Sequence, residues 1–308
     1  MQSRVCAALC LAAFAVAAVS AQQRPKITGI SHLAVYASDP AAAEHYFTVV
    51  VGAAKQPDPE DPHGARYAIN ATQFIDVLPL PADAGINRLD HTAWNTENAD
   101  GLRKYLAAKG WKVPAHVEKA SDSSRRFAVL DPEGNKVEFV QPPAHPKPVN
   151  APNLIGHQII HVGFLVHDRA KEDTFYRALL DFRPYWYGGM HDNEIDWVSQ
   201  QSPDGHNWLE YMLRPLPPGA TSVPPETQRS LGVVDHVSIG VVSVPDTFKQ
   251  LEAANRLEGR HDAAPKIGKD GKYQLNLYDP DDTRIEVMNF HATDKPCCSP
   301  FTADDPAE

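Results

Sequence analysis

Cysteine is scarce in this chain of 308 residues, and an excess of positive charge is absent. Two of its four cysteines, Cys6 and Cys10, lie near the N-terminus, and Cys297 and Cys298 are adjacent near the C-terminus. This pattern excludes a fold that depends on a disulfide framework. The formal net charge of -10 argues against a polyanionic partner such as nucleic acid. The core must therefore form by burial of apolar side chains, which make up 43% of the sequence.

The longest apolar stretch lies at the N-terminus. Arg4 provides a basic start, residues 5–19 are apolar, and Val19-Ser20-Ala21 forms a small-residue site before Gln22. This arrangement is typical of a secretory signal peptide and is too short for a membrane-spanning helix. We therefore expect removal of residues 1–21 and a secreted or periplasmic protein that has no membrane partner after processing.

Four segments of the remaining chain share one order of elements. Each opens with an alternating apolar strand that carries a histidine, followed by an amphipathic helix and two or three short β-rich runs. The histidines are His32, His91, His161 and His236, and the helices are expected at residues 40–50, 97–109, 169–180 and 245–254. The sequence thus predicts an α+β protein built from four βαβββ units.

The spacing of proline indicates how these units group. Five prolines between residues 142 and 152 separate the second unit from the third. We therefore predict an N-terminal domain at residues 27–142, a C-terminal domain at residues 157–291 and a polar tail at residues 292–308. Cys297 and Cys298 could bind metal or form a disulfide, but a disordered tail without a role is the simpler interpretation.

A carboxylate recurs on the last predicted strand of each unit, at Asp76, Glu138, Glu210 and Glu286. Residues two apart in a strand share a face, and the next residue on the face of each histidine is small. These small residues are Ala34, Ala93, Gly163 and Ser238, which would leave volume beside each imidazole. Imidazoles and carboxylates without cysteine suit a divalent ion such as Zn, Ni, Co, Mn or Fe.

Grouping the units by halves gives two candidate metal sites. The main site contains His161, Glu210, His236 and Glu286; a weaker second site contains His32, Asp76, His91 and Glu138. The second site is weaker because Asp76 is one methylene shorter than Glu210. The alternative is a set of core histidines with hydrogen-bond partners and glutamates on solvent faces. Recurrence of the histidine at one position in all four units favours metal binding.

These residues make the chain resemble the vicinal oxygen chelate superfamily, which includes glyoxalase I, bleomycin resistance proteins and type I extradiol dioxygenases. The motif Asp-Pro-x-Gly-Asn-x-x-Glu is complete at residues 131–138 and altered at residues 279–286, where Asp282 and Thr283 replace Gly and Asn. The resemblance implies two glyoxalase-like domains with cupped mixed sheets. It also implies one divalent metal ion held by His161, Glu210, His236 and Glu286.

The resemblance leaves three functions open for a small oxygen-bearing substrate. The His-Glu-His-Glu set resembles that of glyoxalase-like lyases and isomerases, which implies a metal-bound enediolate and Glu210 or Glu286 as the catalytic base. The four-unit chain also resembles extradiol ring-cleavage dioxygenases, which implies Fe(II). However, Asn276 occupies the place of the tyrosine expected before the last glutamate. A non-catalytic binding protein is the third possibility, and the chain could be a monomer or a homo-oligomer.

Overall fold

Two eight-stranded mixed sheets form the framework of the protein. The computed structural model describes residues 23–83, 88–215 and 234–308. The signal peptide expected at residues 1–21 lies outside this part of the chain. Within the described ranges, no helix combines the length and apolar character that crossing a membrane requires.

The first sheet has the strand order β2-β3-β4-β1-β5-β8-β7-β6. The strands are β1 (Ile27–Ala37), β2 (Ala54–Pro57), β3 (Ala65–Ala68), β4 (Phe74–Pro79), β5 (Leu89–Thr96), β6 (Glu118–Lys119), β7 (Arg125–Leu130) and β8 (Lys136–Gln141). The central strands β1 and β5 are antiparallel to each other, while β4 lies parallel to β1 and β8 parallel to β5.

The second sheet repeats this order as β10-β11-β12-β9-β13-β16-β15-β14. Its strands are β9 (Gln158–Val166), β10 (Arg183–Gly188), β11 (Trp197–Gln201), β12 (Trp208–Leu213), β13 (Val234–Val241), β14 (Lys266–Ile267), β15 (Tyr273–Tyr278) and β16 (Arg284–Asn289). The central pair is β9 and β13. Two units therefore pair in each sheet, and the predicted α+β fold of four βαβββ units is confirmed.

A helix follows the first strand of every unit. The helices are α1 (Pro40–His45), α2 (Ala99–Ala108), α3 (Arg169–Asp173) and α4 (Val244–Ala253), and α1 and α3 continue as π-helical segments at Tyr46–Val50 and Thr174–Leu179. A polar side chain caps each N-terminus, as when Asp39 accepts hydrogen bonds from the backbone of Ala41 and Ala42. Each cap marks the point where the chain leaves the first strand of the unit and begins the helix.

Aromatic side chains from both halves of the chain contact each other between the sheets. Trp94 of β5 packs edge to face on Phe182, and Trp111 packs on Phe175, each with ring centroids 4.8 Å apart. The hydroxyl of Tyr105 donates a hydrogen bond to the backbone oxygen of Leu179 at 3.0 Å. One continuous apolar core thus extends across the two sheets.

The C-terminal tail is packed, so its interpretation as a disordered segment is wrong. The backbone amide of Thr302 donates to the carbonyl of Tyr185 at 2.9 Å. Phe301 packs on the Tyr185 ring with centroids 4.9 Å apart. Asp305 forms an ion pair with the buried Lys272, at 2.6 Å from its Nζ atom. The tail therefore covers one side of the second sheet, and Cys297 and Cys298 form a disulfide within it.

Candidate metal centres

Strand register brings the recurring histidines and carboxylates together. In the first sheet His32 pairs with Ala93, and Ala34 pairs with His91. In the second sheet His161 pairs with Ser238, and Gly163 pairs with His236. Each small residue singled out in the sequence therefore faces the histidine of the adjoining central strand. The imidazole of the adjoining strand occupies the volume beside the small residue, so the two histidine rings of each sheet contact each other.

The first-domain centre contains His32, His91, Glu138 and Glu60. The Nε2 atoms of the two histidines are 2.7 Å apart, and Oε2 of Glu138 lies 3.6 Å from Nε2 of His32 and 3.7 Å from that of His91. Glu60 completes a group whose ligand atoms all lie within 4.8 Å of one another. Glu60 is in the loop between β2 and β3, where no periodic pattern marked it.

Asp76, expected as the fourth ligand here, is bound by an arginine. Nε of Arg66 lies 3.2 Å from Oδ1 of Asp76, and its Nη2 atom lies 3.4 Å from Oδ2. Oδ2 of Asp76 is 4.0 Å from Nε2 of His32, and burial raises the pKa of Asp76 to about 8. The geometry therefore favours Glu60 over Asp76 as the fourth donor of this centre.

Asp90 orients His91. Its Oδ2 atom lies 2.5 Å from Nδ1 of His91 and 2.7 Å from Nζ of Lys136, and the hydroxyl of Tyr36 donates to Oδ1. Burial alone would raise the pKa of Asp90, but these hydrogen bonds hold it below its usual range. An ionised Asp90 keeps a proton on Nδ1 of His91, so the Nε2 lone pair faces the centre.

Burial controls the charges of the first-domain donors. It lowers the pKa of His32 and of His91, so both rings are neutral near pH 7. Burial, followed by repulsion from Glu60, raises the pKa of Glu138 to about 8. Neutral imidazoles are the form in which histidine binds metal. A bound cation would favour the ionised form of Glu138.

The second-domain centre brings together all four side chains predicted for the main site. The Nε2 atoms of His161 and His236 are 2.6 Å apart. Oε2 of Glu286 lies 3.2 Å from Nε2 of His161, and Oε2 of Glu210 lies 3.4 Å from Nε2 of His236. The four side chains converge, and their roles as metal ligands stay a prediction.

Hydrogen bonds orient the side chains of the second-domain centre. Nη2 of Arg284 lies 2.6 Å from Nδ1 of His236, and a guanidinium can only donate. The proton of a neutral His236 ring then lies on Nε2, toward Glu210. Burial opposes ionisation of Glu286, but the hydrogen bond from His161 lowers its pKa to about 2. A metal ion at this centre would bind Nε2 of His236 in place of that proton.

The two centres open into cavities of different size and chemistry. The first-domain cavity has a volume of about 480 Å³ and is lined by polar side chains that include Tyr36, Asp58, Arg126 and Lys136. The second-domain cavity has a volume of only about 120 Å³. Aromatic and apolar side chains form about half of its walls: Tyr185, Trp186, Trp197, Trp208, Met212, Met288 and Phe301. The first-domain cavity therefore has more room for a substrate than the second-domain cavity.

The donor atoms fit a divalent metal ion. Ligand atoms bound at about 2.0–2.2 Å to one ion lie roughly 3 Å from each other. The Nε2–carboxylate distances of 3.2, 3.4, 3.6 and 3.7 Å lie somewhat above that value, and the Nε2–Nε2 distances of 2.7 and 2.6 Å lie below it. Oε2 of Glu138 is buried and has no hydrogen-bond partner among the described residues. Such an atom needs a proton or a cation, and the adjoining imidazoles suit the cation.

Gly163 provides a test of the second-domain centre. A Cβ atom added at Gly163 would lie 2.3 Å from Cε1 of His236 and 2.6 Å from its Nδ1. We therefore expect Gly163→Ala to displace His236 and remove the second-domain metal. The number of metal ions per chain, measured by atomic emission after dialysis, should fall by the number bound at the second-domain centre.

Ala34 supplies the matched control because it occupies the equivalent place opposite His91. Ala34→Gly removes a methyl group instead of adding one, and we expect it to leave the metal content unchanged. An unaltered metal content in Gly163→Ala protein would show that His236 does not hold a metal ion.

Comparison with known proteins places the fold in a family. Residues 29–139 and 158–287 match the Glyoxalase/Bleomycin resistance protein/Dioxygenase superfamily. The chain belongs to this superfamily. The two matched segments coincide closely with the two sheets, which confirms the resemblance drawn from the histidine strands and the Asp-Pro motif. A search of curated proteins finds no match.

Solved structures of two kinds share this fold. A manganese(II)-bound glyoxalase from Novosphingobium aromaticivorans has a TM-score of 0.64 at 16% identity, over 86% of this chain and 83% of that chain. A catechol 2,3-dioxygenase has a TM-score of 0.62 at 16% identity, over 89% and 96% of the respective chains. Homoprotocatechuate 2,3-dioxygenase from Brevibacterium fuscum has a TM-score of 0.61 at 15% identity, over 92% and 84%. At these identities the similarity shows the fold alone.

Proposed function

We propose that this protein is a divalent-metal-dependent enzyme that acts on a small oxygen-bearing molecule as a glyoxalase-like lyase or isomerase. The observation that carries the proposal is the number of carboxylates at each centre. Each pair of imidazoles faces two of them, Glu138 and Glu60 in the first domain and Glu286 and Glu210 in the second. One carboxylate can remain a ligand while the other accepts a proton from the substrate.

The bound ion would supply Lewis-acid polarisation of a substrate carbonyl, which acidifies the neighbouring C–H bond. In the first domain, His32, His91 and Glu138 would hold the ion. Glu60, whose Oε1 atom lies 2.8 Å from Nη1 of Arg126, would move the proton. We assign substrate conversion to this domain because its cavity is four times larger than the other (about 480 against 120 Å³).

The second-domain centre is an alternative location for this chemistry, because all four predicted donors converge there. Glu210 is the better base there, because Ser199 donates a hydrogen bond to its Oε1 atom at 2.9 Å and leaves Oε2 toward the centre. Glu286 lies deeper, between the two histidines, and would remain a ligand. The cavity beside it is the smaller of the two.

A ring-cleavage dioxygenase is the second candidate, favoured by one feature of the first centre. If Glu60 stays paired with Arg126, the remaining donors are His32, His91 and Glu138. Two histidines and one carboxylate are the ligand set of non-haem Fe(II) oxygenases. Against this candidate, the position of the expected tyrosine is Asn276, which pairs with Glu286, and the equivalent partner of Glu138 is Ala128.

Isotope exchange separates the candidates. Protein purified without oxygen and loaded with Mn²⁺, Ni²⁺ or Zn²⁺ should exchange the proton next to the carbonyl of an α-hydroxyketone with D₂O, as followed by NMR. We expect Glu60→Gln to lower this rate about 100-fold or more, whereas Glu210→Gln should leave it unchanged. The reverse result would place the chemistry in the second domain.

Protein purified in the same way and loaded with Fe(II) tests the alternatives. Consumption of O₂ with a catechol by the iron-loaded protein, without carbonyl exchange, would establish the dioxygenase. Ligand binding without either reaction would indicate a binding protein.

A further inference from the structure

The first-domain cavity combines a candidate metal centre with an unbalanced set of charges. Besides the donors of the centre, its lining contains the acidic side chains Asp58, Asp61, Asp76, Asp90 and Glu118 and the basic side chains Arg126 and Lys136. The unpartnered, buried Oε2 atom of Glu138 faces the same cavity. A ligand in this space meets both the centre and these charged groups.

Both cations of the cavity are already paired. Nζ of Lys136 lies 2.7 Å from Oδ2 of Asp90. Arg126 has Nη1 2.8 Å from Oε1 of Glu60, Nε 3.7 Å from Oε1 of Glu138 and Nη2 3.9 Å from Oε2 of Glu118. An anionic group on a ligand would have to compete with these carboxylates for each cation.

Two carboxylates of the cavity remain without a cation. Asp58 is buried, and its Oδ1 atom accepts a hydrogen bond from the backbone amide of Glu60 at 2.7 Å. Asp61 is half-buried, and its Oδ1 atom accepts one from the backbone amide of His63 at 2.8 Å. Neither forms an ion pair with any residue in the described part of the chain. Each therefore has an oxygen available for a donor on the ligand.

We propose that the first-domain cavity takes a metal-chelating molecule that carries a positively charged group such as an amine. The inference rests on the proposed function, because the chelating oxygens bind the metal ion held by His32, His91 and Glu138. The ammonium group then lies beside Asp58 and Asp61. A carboxylate in the same place would face those two acids with no unpaired cation to receive it, and its binding would be weaker.

Three catechols of matched shape test this proposal. 3,4-Dihydroxyphenethylamine, 3,4-dihydroxyphenylethanol and 3,4-dihydroxyphenylacetate carry a cationic, a neutral and an anionic group on the same ring. Their dissociation constants are measured from the visible spectrum of the cobalt-substituted full chain, with His236→Ala so that only the first centre reports. We expect the amine to bind about tenfold more tightly than the acetate, with the alcohol between them.

Charge variants identify the groups responsible. The isosteric pair Asp58→Asn and Asp61→Asn together should reduce the difference between amine and acetate to about twofold or less. Glu252→Gln removes one exposed charge from α4, which does not line the cavity, and should leave the difference in affinity between amine and acetate intact. In the protein that keeps Asp58 and Asp61, raising the salt concentration should reduce the difference in affinity between the amine and the acetate.

The outcomes separate this inference from the proposed function. Equal affinities, tighter binding of the acetate, or a preference that survives in the Asp58→Asn/Asp61→Asn variant would each overturn the inference while the metal centre stands. If no catechol perturbs the cobalt spectrum, the first-domain centre of the proposed function is absent, and the inference fails with it.

Discussion

Chelation of the metal-loaded protein should lower its melting temperature by about 10 °C. A metal ion that binds only the folded state stabilises it by about 2.7 kcal/mol when the free ion is at 100 times its dissociation constant. For a domain of roughly 130 residues this free energy corresponds to a shift on the order of 10 °C. Calorimetry with and without a strong chelator, at fixed pH, measures the shift.

Ligand variants assign the stabilisation to one centre or to both. His91→Ala or Glu138→Gln should remove the contribution of the first domain, and His236→Ala or Glu286→Gln should remove that of the second. The double variant His91→Ala/His236→Ala should melt at the same temperature with or without chelator. If the melting of the unsubstituted protein ignores chelator and metal analysis finds no ion, the assignment as a metal enzyme is wrong.

The histidines could be located from sequence because strand geometry determines where they go. Residues two apart share a face, so His32 and Ala34 on β1 necessarily face the same way as the paired His91 and Ala93 on β5. A parallel strand on each side then adds one carboxylate per unit. The repeated order of elements thus predicted that His161, Glu210, His236 and Glu286 converge, and their roles as metal ligands stay a prediction.

Glu60 could not be found by the same reasoning. It lies in the loop between β2 and β3, where neither periodicity nor the spacing of repeats determines position. Arg66 could have been recognised, since it pairs directly with Asp76 across β3 and β4. A short strand with an inward arginine opposite an aspartate predicts a cross-strand ion pair. That signal would have removed Asp76 from the set of ligands.

The tail was misinterpreted because its composition is polar and its contacts are distant in sequence. Residues 292–308 contain few apolar side chains, which by itself predicts little burial. The anchor is Lys272 on the loop before β15, a lysine whose side chain is fully buried. Burial of a lysine requires a specific partner, and that partner, Asp305, is 33 residues further along. No local pattern links the two.

Removal of the Lys272 side chain should destabilise the protein strongly. Its Nζ atom lies 2.6 Å from Oδ1 of Asp305, donates to the backbone oxygen of Phe290 at 2.7 Å and lies 5.0 Å from the ring centroids of Trp208 and Phe301. Lys272→Ala would remove the cation beside Asp305, which would keep only its hydrogen bonds with Tyr185 and His291 among the described residues. Removing one partner of a buried ion pair typically costs about 3–5 kcal/mol, and we expect the lower end of that range because Asp305 is partly exposed. Urea unfolding followed by fluorescence measures the loss.

A double-mutant cycle with Asp305→Asn separates the ion pair from the packing of the lysine. We expect Asp305→Asn to reduce the further cost of Lys272→Ala by at least about 1 kcal/mol, because the remaining partner is then neutral. Lys249→Ala is the control, since Lys249 is exposed and, among the residues that the structure describes, forms an ion pair only with Asp246 three residues earlier. Additive effects of the two changes would mean that the ion pair contributes nothing to the anchoring of the tail.

Loss of this anchor should also open the second metal centre. Phe301 lines the small cavity together with Glu210 and Glu286, and the tail that carries it is held by Asp305 on one side and Tyr185 on the other. In Lys272→Ala protein that is still folded, a chelator should therefore remove the second-domain metal faster than from the unsubstituted chain. The rate for the first-domain metal should not change, because the tail does not line that cavity. Equal acceleration at both centres would indicate general loosening of the fold instead of release of the tail.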